Sequence, residues 1–405
     1  MKLVPTGEGR IAVNPLSFAR KMFVDDVAVD VPPLGYACVE PSAPVAEPPG
    51  KKNLLGQFFG KKSEPVLARK AIDDIGRGEK RTVYILENRH FSAKFDAVTG
   101  TLRSIFTNRS RFNQLSRQIA FRKDQTYSIQ TADEIVITKS APEVGQLKIT
   151  GRLVCPDGEI AARYSETITI RSRSRLLEFG LTLEPILEFE DDRWNSYIAV
   201  RYAWNDDTFE MCGGLNDGVH VLPDKKHLHS PKLIDLRNKS GSLTFLTEGL
   251  PFHRRSGDRQ LDTLLIVKGE SQRQFHLGVA VNEKHPAFLS HDFLLGQAGY
   301  VFPVPSLPKN PTAWLFQIES TNVVALYWEP VFEEDELVGY MVYLQETEGC
   351  RAHFALRSFL PPKKASAMNF QRKELKTFKI DTDAVLIDMH IYELLPLFVR
   401  TTEPQ

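Results

Sequence analysis

Three observations predict an all-β protein built from large antiparallel sheets. Segment after segment alternates apolar and polar residues with a period of two, the spacing that turns one face of a strand to a core and the other to water. Gly, Pro, Asn or Asp bound these segments, as turns require. Helix-period stretches with caps are scarce, and no strand–helix alternation of the kind that builds parallel sheets is present.

From Ile11 the chain offers an apolar strand, an Asn14-Pro15 turn, an apolar run, and then Val27, Val29 and Val31 alternating with Ala28 and Asp30. Two or three strands fit this stretch. Glu40 to Glu64 is rich in proline, glycine and lysine, with one apolar island at Leu54-Leu55 and Phe58-Phe59, and cannot bury enough surface to order itself alone. It reads as a surface insertion or linker, with Phe58-Phe59 expected to dock on the protein's own body, the alternative being recognition of a partner or a missing domain. Next comes a hairpin: Phe91, Ala93 and Phe95 alternate with Ser92, Lys94 and Asp96, Asp96 to Gly100 (DAVTG) makes the turn, and Leu102 to Phe106 returns. In Thr167 to Glu184, Leu177, Phe179, Leu181 and Leu183 share one face, and in Tyr197 to Trp204 the same is true of Ile198, Val200, Tyr202 and Trp204. Further strands are expected at Leu261 to Val267, Gln274 to Val281, Val323 to Trp328, Val338 to Leu344, Ala352 to Phe359 and Ala384 to Ile391. The organisation that follows is an N-terminal β segment (1–40), a linker or insertion (41–80), a large sandwich (81–310) and a C-terminal β region (311–405).

Composition excludes several classes. With 405 residues the chain is long enough for two or three domains with buried cores. Its zero formal net charge argues against a partner chosen by bulk charge, such as nucleic acid. No run of about 18 apolar residues occurs and the start lacks a secretory signal, so a soluble chain without membrane partners is expected, cytoplasmic unless Met1 opens inside a longer protein. Cys38, Cys155, Cys212 and Cys350 lie far apart and read as reduced core thiols.

Leu86-Glu87-Asn88, the strand after it, Asp96 to Gly100 as D-x-x-T-G, and Ser104-Ile105 resemble the start of the large β-sandwich that follows the catalytic barrel in glycoside hydrolase family 38, the α-mannosidases. Val13 to Arg20 resembles the strand before that sandwich, "N-P-hydrophobic-S-aromatic-x-R". Val342 to Gly349 resembles its late "V-R-L-x-E-x-x-G" strand, with Tyr343 in place of the arginine, and Ala367 to Phe370 and Ile391 to Leu394 resemble its closing segments. The resemblance implies a galactose-mutarotase-like supersandwich with smaller flanking β segments, one that buttresses a catalytic barrel and lines its sugar cleft. It implies an α-mannoside-class carbohydrate as ligand and a barrel, in cis or in trans, carrying the zinc and the Asp nucleophile. In this chain it implies no catalytic residue and no cofactor. A free-standing, non-catalytic carbohydrate-binding or scaffold protein is the alternative, and the oligomeric state is open.

Sugar recognition asks for flat aromatics and planar polar groups. Asp191, Asp192, Arg193 and Trp194 before one strand, and Trp204, Asp206 and Asp207 at its end, supply both kinds. Tryptophans flanking a strand serve equally well as core anchors. The aspartate pairs have the chemistry for acid–base work or for calcium, but adjacent residues on a strand face opposite ways, so a working pair needs two loops. His227 and His229 have metal-like spacing, near Asp224, Asp235 and His220, within what reads as an exposed loop. Arg103, Arg109, Arg111, Arg117, Arg122 and Lys123, together with Arg171, Arg173 and Arg175, form either an anion-binding patch or partners for the acids of Glu329 to Glu336.

Overall fold

The computed structural model describes residues 9–24, 27–39, 67–74, 80–107, 113–215, 217–296 and 300–403. Among them the chain is almost entirely β, as the alternation predicts, and every strand pairing is antiparallel. The Phe58-Phe59 docking expectation, Arg109 and Arg111 lie outside the described residues. The described residues divide into two compact units, one comprising 67–215 and 221–286, the other 9–39, 217–220 and 287–403.

The first unit is a sandwich of two large sheets. One sheet runs in the order His227–His229, Phe252–Gly257, Gln260–Ile266, Ser196–Trp204, Leu115–Lys123, Leu102–Thr107, Phe91–Asp96, Lys80–Glu87 and Leu67–Asp74. The other contains, in order, Ile129–Ala141, Val144–Val154, Ile160–Arg171, Leu176–Pro185, Gln274–Val281, Gly241–Leu246, Leu233–Asn238 and Glu210–Leu215. Alternate residues of both fill one core. Leu177, Phe179, Leu181 and Leu183 enter it from one side, and Ile198, Val200, Tyr202 and Trp204 from the other. Tyr202 stacks on Phe245 with ring centroids 4.1 Å apart.

A charged pair sits inside this apolar layer. Arg117 on Leu115–Lys123 reaches across to Glu166 on Ile160–Arg171 at 2.7 Å, with side chains 2% and 1% exposed. The Arg117 guanidinium also lies 3.9 Å from the Phe179 ring centroid. Burial works against its charge, and Glu166 more than compensates, holding Arg117 above its ordinary pKa.

Polar side chains at the strand ends staple the sheets. Asn88 Oδ1 accepts from the N–H groups of His90 (2.8 Å) and Phe91 (3.2 Å), while its Nδ2 donates to the Arg171 and Ser174 carbonyls, both 2.8 Å away on the opposite sheet's turn. In the hairpin turn, Asp96 Oδ1 accepts from the Val98 and Thr99 N–H groups at 2.9 Å each. Gly100 follows with φ of 69°, where a Cβ would meet Ile149 and the Tyr164 hydroxyl at 2.9 Å. Only glycine fits there.

The second unit holds smaller sheets. Gly9–Asn14 lies between Val301–Val304 and Gly35–Val39, with Thr312–Trp314 beyond, and Arg20–Val24 pairs with Val27–Val31. Two further sheets share one apolar core: Phe316–Ile318, Ala352–Ser358, Ala384–Met389 and Lys379–Asp381 in the first, and Val323–Glu333, Glu336–Glu346, Leu394–Arg400, Lys364–Met368 and Glu374–Thr377 in the second. The N-P-x-S motif is buried here. Asn14 donates to the Phe18 (2.7 Å) and Pro32 (2.9 Å) carbonyls, Ser17 Oγ accepts from the Ala325 N–H at 2.9 Å, and Arg20 pairs with Asp292. Glu346, fully buried, accepts from Asn322, Glu348, Gly349 and Tyr392. A helix, Pro286–Leu295, has no counterpart in the strand pattern read from the sequence.

Two expectations are corrected. Cys350 is exposed and Cys38 and Cys155 are half-buried, leaving only Cys212 as a core thiol; all four are free. The basic segment does not form one patch, because Arg117 and Arg122, at odd and even positions of the same strand, leave it on opposite faces. Arg103 lies 3.9 Å from Asp73, Lys123 3.4 Å from Glu190, and Arg171 pairs with Glu178. Glu329 and Glu333 are taken up by Arg372 and Arg400.

Replacing Glu166 with Gln should strand a buried guanidinium and cost about 3–5 kcal/mol, read as a lowered urea midpoint, whereas the Arg117→Met, Glu166→Leu double variant should lose much less. His276 supplies a second check. Burial alone would lower its pKa, but the Glu178 and Glu248 carboxylates raise it from 6.5 to about 9. A raised folded-state pKa contributes stability that is complete below about 6.5 and lost as pH climbs through about 9. The unfolding midpoint should fall across that window and fall less in His276→Gln.

Candidate functional site

In the sheet that contains Ser196–Trp204, where the short strand Thr126–Tyr127 pairs with Leu115–Lys123 as a tenth member, the face turned away from the core carries a polar constellation that the strand register assembles. On Gln260–Ile266, Leu261 and Leu265 point inward, so Asp262 points out. Arg201 stands opposite it on one neighbouring strand and Arg254 on the other, with His227 opposite Arg254 in turn. A second row places Arg122 opposite Tyr197 on one side and Tyr127 on the other. Residues far apart in sequence thus meet on one surface.

Asp262 organises the first row. Its carboxylate accepts from Arg201 Nε at 2.8 Å and Nη2 at 3.1 Å, from the Tyr197 hydroxyl at 2.7 Å, from the Tyr127 hydroxyl at 3.2 Å and from Ser256 Oγ at 3.2 Å. The two-nitrogen contact fits a planar guanidinium to a planar carboxylate. Burial disfavours the charge on Arg201, and Asp262 outweighs it, raising the pKa. Burial and the Asp262 charge also drive the Tyr197 phenol far above its ordinary range, so it stays protonated and donates. Arg201 and Arg122 lie over the Tyr127 ring at 3.5 and 4.8 Å.

Beside this row is an aromatic platform. Trp194, half-buried, stacks on His227 with centroids 4.0 Å apart and planes 18° apart, and Phe252, 49% exposed, meets it edge-on at 6.0 Å. His229 meets Phe252 at 5.4 Å. Burial, with Lys226 and Arg254 nearby, lowers the His227 pKa and leaves the ring neutral. Between platform and carboxylate row opens a cavity of about 570 Å³, lined by Arg122, Tyr127, Asn195, Lys226, Arg254 and their neighbours.

The residues singled out from the sequence divide between the two ends of Ser196–Trp204. At the first end, Asp191 is exposed and pairs with Lys268 at 2.8 Å, Arg193 is exposed, and Asp192 closes the turn by accepting from the Trp194 N–H at 2.9 Å and Asn195 Nδ2 at 2.7 Å. The Asn195 and Trp194 contacts hold the Asp192 pKa below the usual carboxylate range. At the far end, Trp204 is 7% exposed within the core and presents no stacking face. Asp206 accepts from the Thr208 hydroxyl at 2.7 Å and Asn238 Nδ2 at 2.8 Å. Asp206, Asp207, Asn205 and Asn282 line a polar cavity of about 370 Å³ that lacks an aromatic wall. A strand of nine residues rising about 3.3 Å each separates the aspartate pairs by well over 20 Å. Glycosidase carboxylates stand about 5–9.5 Å apart, so these pairs do not make one acid–base couple.

Among the described residues no group of three His, Cys, Asp or Glu side chains is placed to hold a metal. His227 and His229 are engaged with Trp194 and Phe252, Asp224 pairs with Arg255, and Asp235 is buried against Thr244 and Arg237. No described helix is long and apolar enough to cross a membrane. Sequence reading missed Asp262, Arg201, Arg254 and Tyr197, whose only signal was a polar residue at an outward position of an apolar strand.

No protein-family profile and no curated protein matches the chain. Solved structures do. An alpha-mannosidase from Enterococcus faecalis V583 superposes with a TM-score of 0.59 at 12% identity, covering 82% of this chain and 48% of that one. A protein in the Glycosyl Hydrolase Family 38 from Enterococcus faecalis gives 0.62 at 12% identity, covering 97% and 52%. This chain therefore spans about half the length of each, and the likeness is one of fold.

Asp262→Asn keeps the shape but removes the charge facing Arg201. A loss on the order of 2–3 kcal/mol in urea unfolding is expected, since Arg201 is nearly buried and loses its only carboxylate partner among the described residues.

Proposed function

We propose that this chain is the β-sandwich portion of an α-mannosidase-like glycoside hydrolase, supporting a catalytic barrel and binding carbohydrate on the outer face of its large sheet. The support is the fold likeness, in which this chain matches about half of each of two solved structures titled as an alpha-mannosidase and a Glycosyl Hydrolase Family 38 protein. The observation that carries the carbohydrate reading is the Trp194 platform beside a cavity edged with Asn195, Tyr127 and guanidinium donors. A sugar's C–H face stacks on a flat ring while its hydroxyls need planar donors and acceptors a few ångströms away; Trp194 is of the first kind, and the cavity lined by its neighbour Asn195 supplies the second. Chemistry on the glycosidic bond, with its zinc and its nucleophile, belongs in this reading to the barrel. Trp204, sealed in the core, takes no part.

Manno-oligosaccharide should retard the purified chain in affinity electrophoresis, and Trp194→Ala, with an unchanged unfolding midpoint, should abolish the shift. Absence of a shift in the unaltered chain, or an unchanged one in the variant, would remove the sugar site from this face. Hydrolysis of an aryl α-mannoside by the purified chain, lost on chelation, would overturn the assignment of catalysis to a separate barrel.

A further inference from the structure

We infer that the cavity between the Trp194 platform and the Asp262 row is a binding site for a tetrahedral oxyanion, the phosphate or sulfate ester group of a ligand. It shares its cavity and guanidinium groups with the carbohydrate reading, but it rests on their charge and not on the Trp194 platform, and does not need that reading to hold.

The charges around the cavity do not balance. Of the cations there, Arg201 is neutralised by Asp262 and Arg255 by Asp224. Arg122, Arg254 and Lys226 remain without a carboxylate partner among the described residues, and no residue lining the cavity is acidic. Asp192 feels the charge of Arg254 but forms no ion pair with it, its oxygens being held by Trp194 and Asn195.

The two arginines are also deeply placed. Arg122 is 6% and Arg254 5% exposed, and the Nε of each is buried with no hydrogen-bond partner. Their remaining hydrogen bonds are long and go to neutral oxygens, Arg122 Nη2 to Asn195 Oδ1 at 3.3 Å and Arg254 Nη1 to the Tyr197 hydroxyl at 3.2 Å. Tyr197 cannot offer a charge, because its own proton is committed to Asp262. A buried guanidinium is ordinarily paired, since the desolvated charge is otherwise costly. Here two line one cavity, and the guanidinium fork matches the paired oxygens of a phosphate or sulfate. The missing partner is an anion from outside the chain.

The test uses the whole chain and inorganic anions. Isothermal titration at constant ionic strength, with chloride as background, should show saturable binding of phosphate and of sulfate. Arg254→Gln and Arg122→Gln should each weaken it by about tenfold, while Arg152→Gln, on the exposed pair with Asp133, should change nothing. Should either buried variant fail to fold, exposed Lys226→Gln is expected to weaken binding about threefold in a chain of unchanged unfolding midpoint. A hexose 6-phosphate or 6-sulfate bound more tightly than the unmodified hexose would identify the ester that fits. Phosphate binding that strengthens from about pH 5.5 to 7.5 while sulfate binding stays level would show that a dianion is preferred. No saturable binding above chloride, or binding indifferent to all three substitutions, would overturn the inference. Loss of neutral mannoside binding in Trp194→Ala with phosphate binding retained would leave this site standing apart from the sugar platform.

Discussion

The Arg117–Glu166 pair constrains the large sandwich more than any apolar contact does. Two opposite charges lie between the sheets, each almost without access to water, and each tolerable only because the other is 2.7 Å away. Sliding either strand by one residue would turn one charge to the outer face and leave its partner unpaired in the core. The apolar residues around it, Phe179 among them, tolerate small repacking; the pair does not. It therefore ties the register of one sheet to that of the other, and with it the placing of everything on the outer face.

That placing assembles the candidate site. Because Arg117 faces inward, Arg122 must face outward on the same strand, opposite Tyr197, one row from where Arg201, Asp262 and Arg254 align. The row is half-satisfied in an informative way. Asp262 is fully engaged, with two nitrogens and three hydroxyls on it, whereas the neighbouring Arg122 and Arg254 form no ion pair among the described residues.

The segments that resemble a glycosidase family are, in this structure, staples. Asn14, Asn88, Asp96 and Glu346 are buried side chains that satisfy backbone N–H and carbonyl groups at strand ends, where sheets otherwise leave polar groups without partners. Gly349, at φ of 72° against the Tyr392 ring, belongs to the same turn as Glu346. Their spacing reports the fold's corners and is silent about chemistry, so fold likeness and activity must be argued from different residues.

The sequence by itself determined the class of fold and the orientation of individual strands, because a two-residue period is local: Leu177 to Leu183 and Ile198 to Trp204 announce their buried faces without reference to any partner. It also determined the turn at Asp96, whose side chain bonds the backbone within three residues. It could not say that Arg117 would meet Glu166, or that Trp204 would anchor the core while Trp194 stacked on His227, since both tryptophans flank the same strand. Only the tertiary structure decided which strands are neighbours, and cross-strand neighbours far apart in sequence, such as Arg201 and Asp262 at 61 residues, make the candidate site. Strand order depends on how two whole sheets bury their faces together, a property of the assembled core that no short stretch of sequence contains.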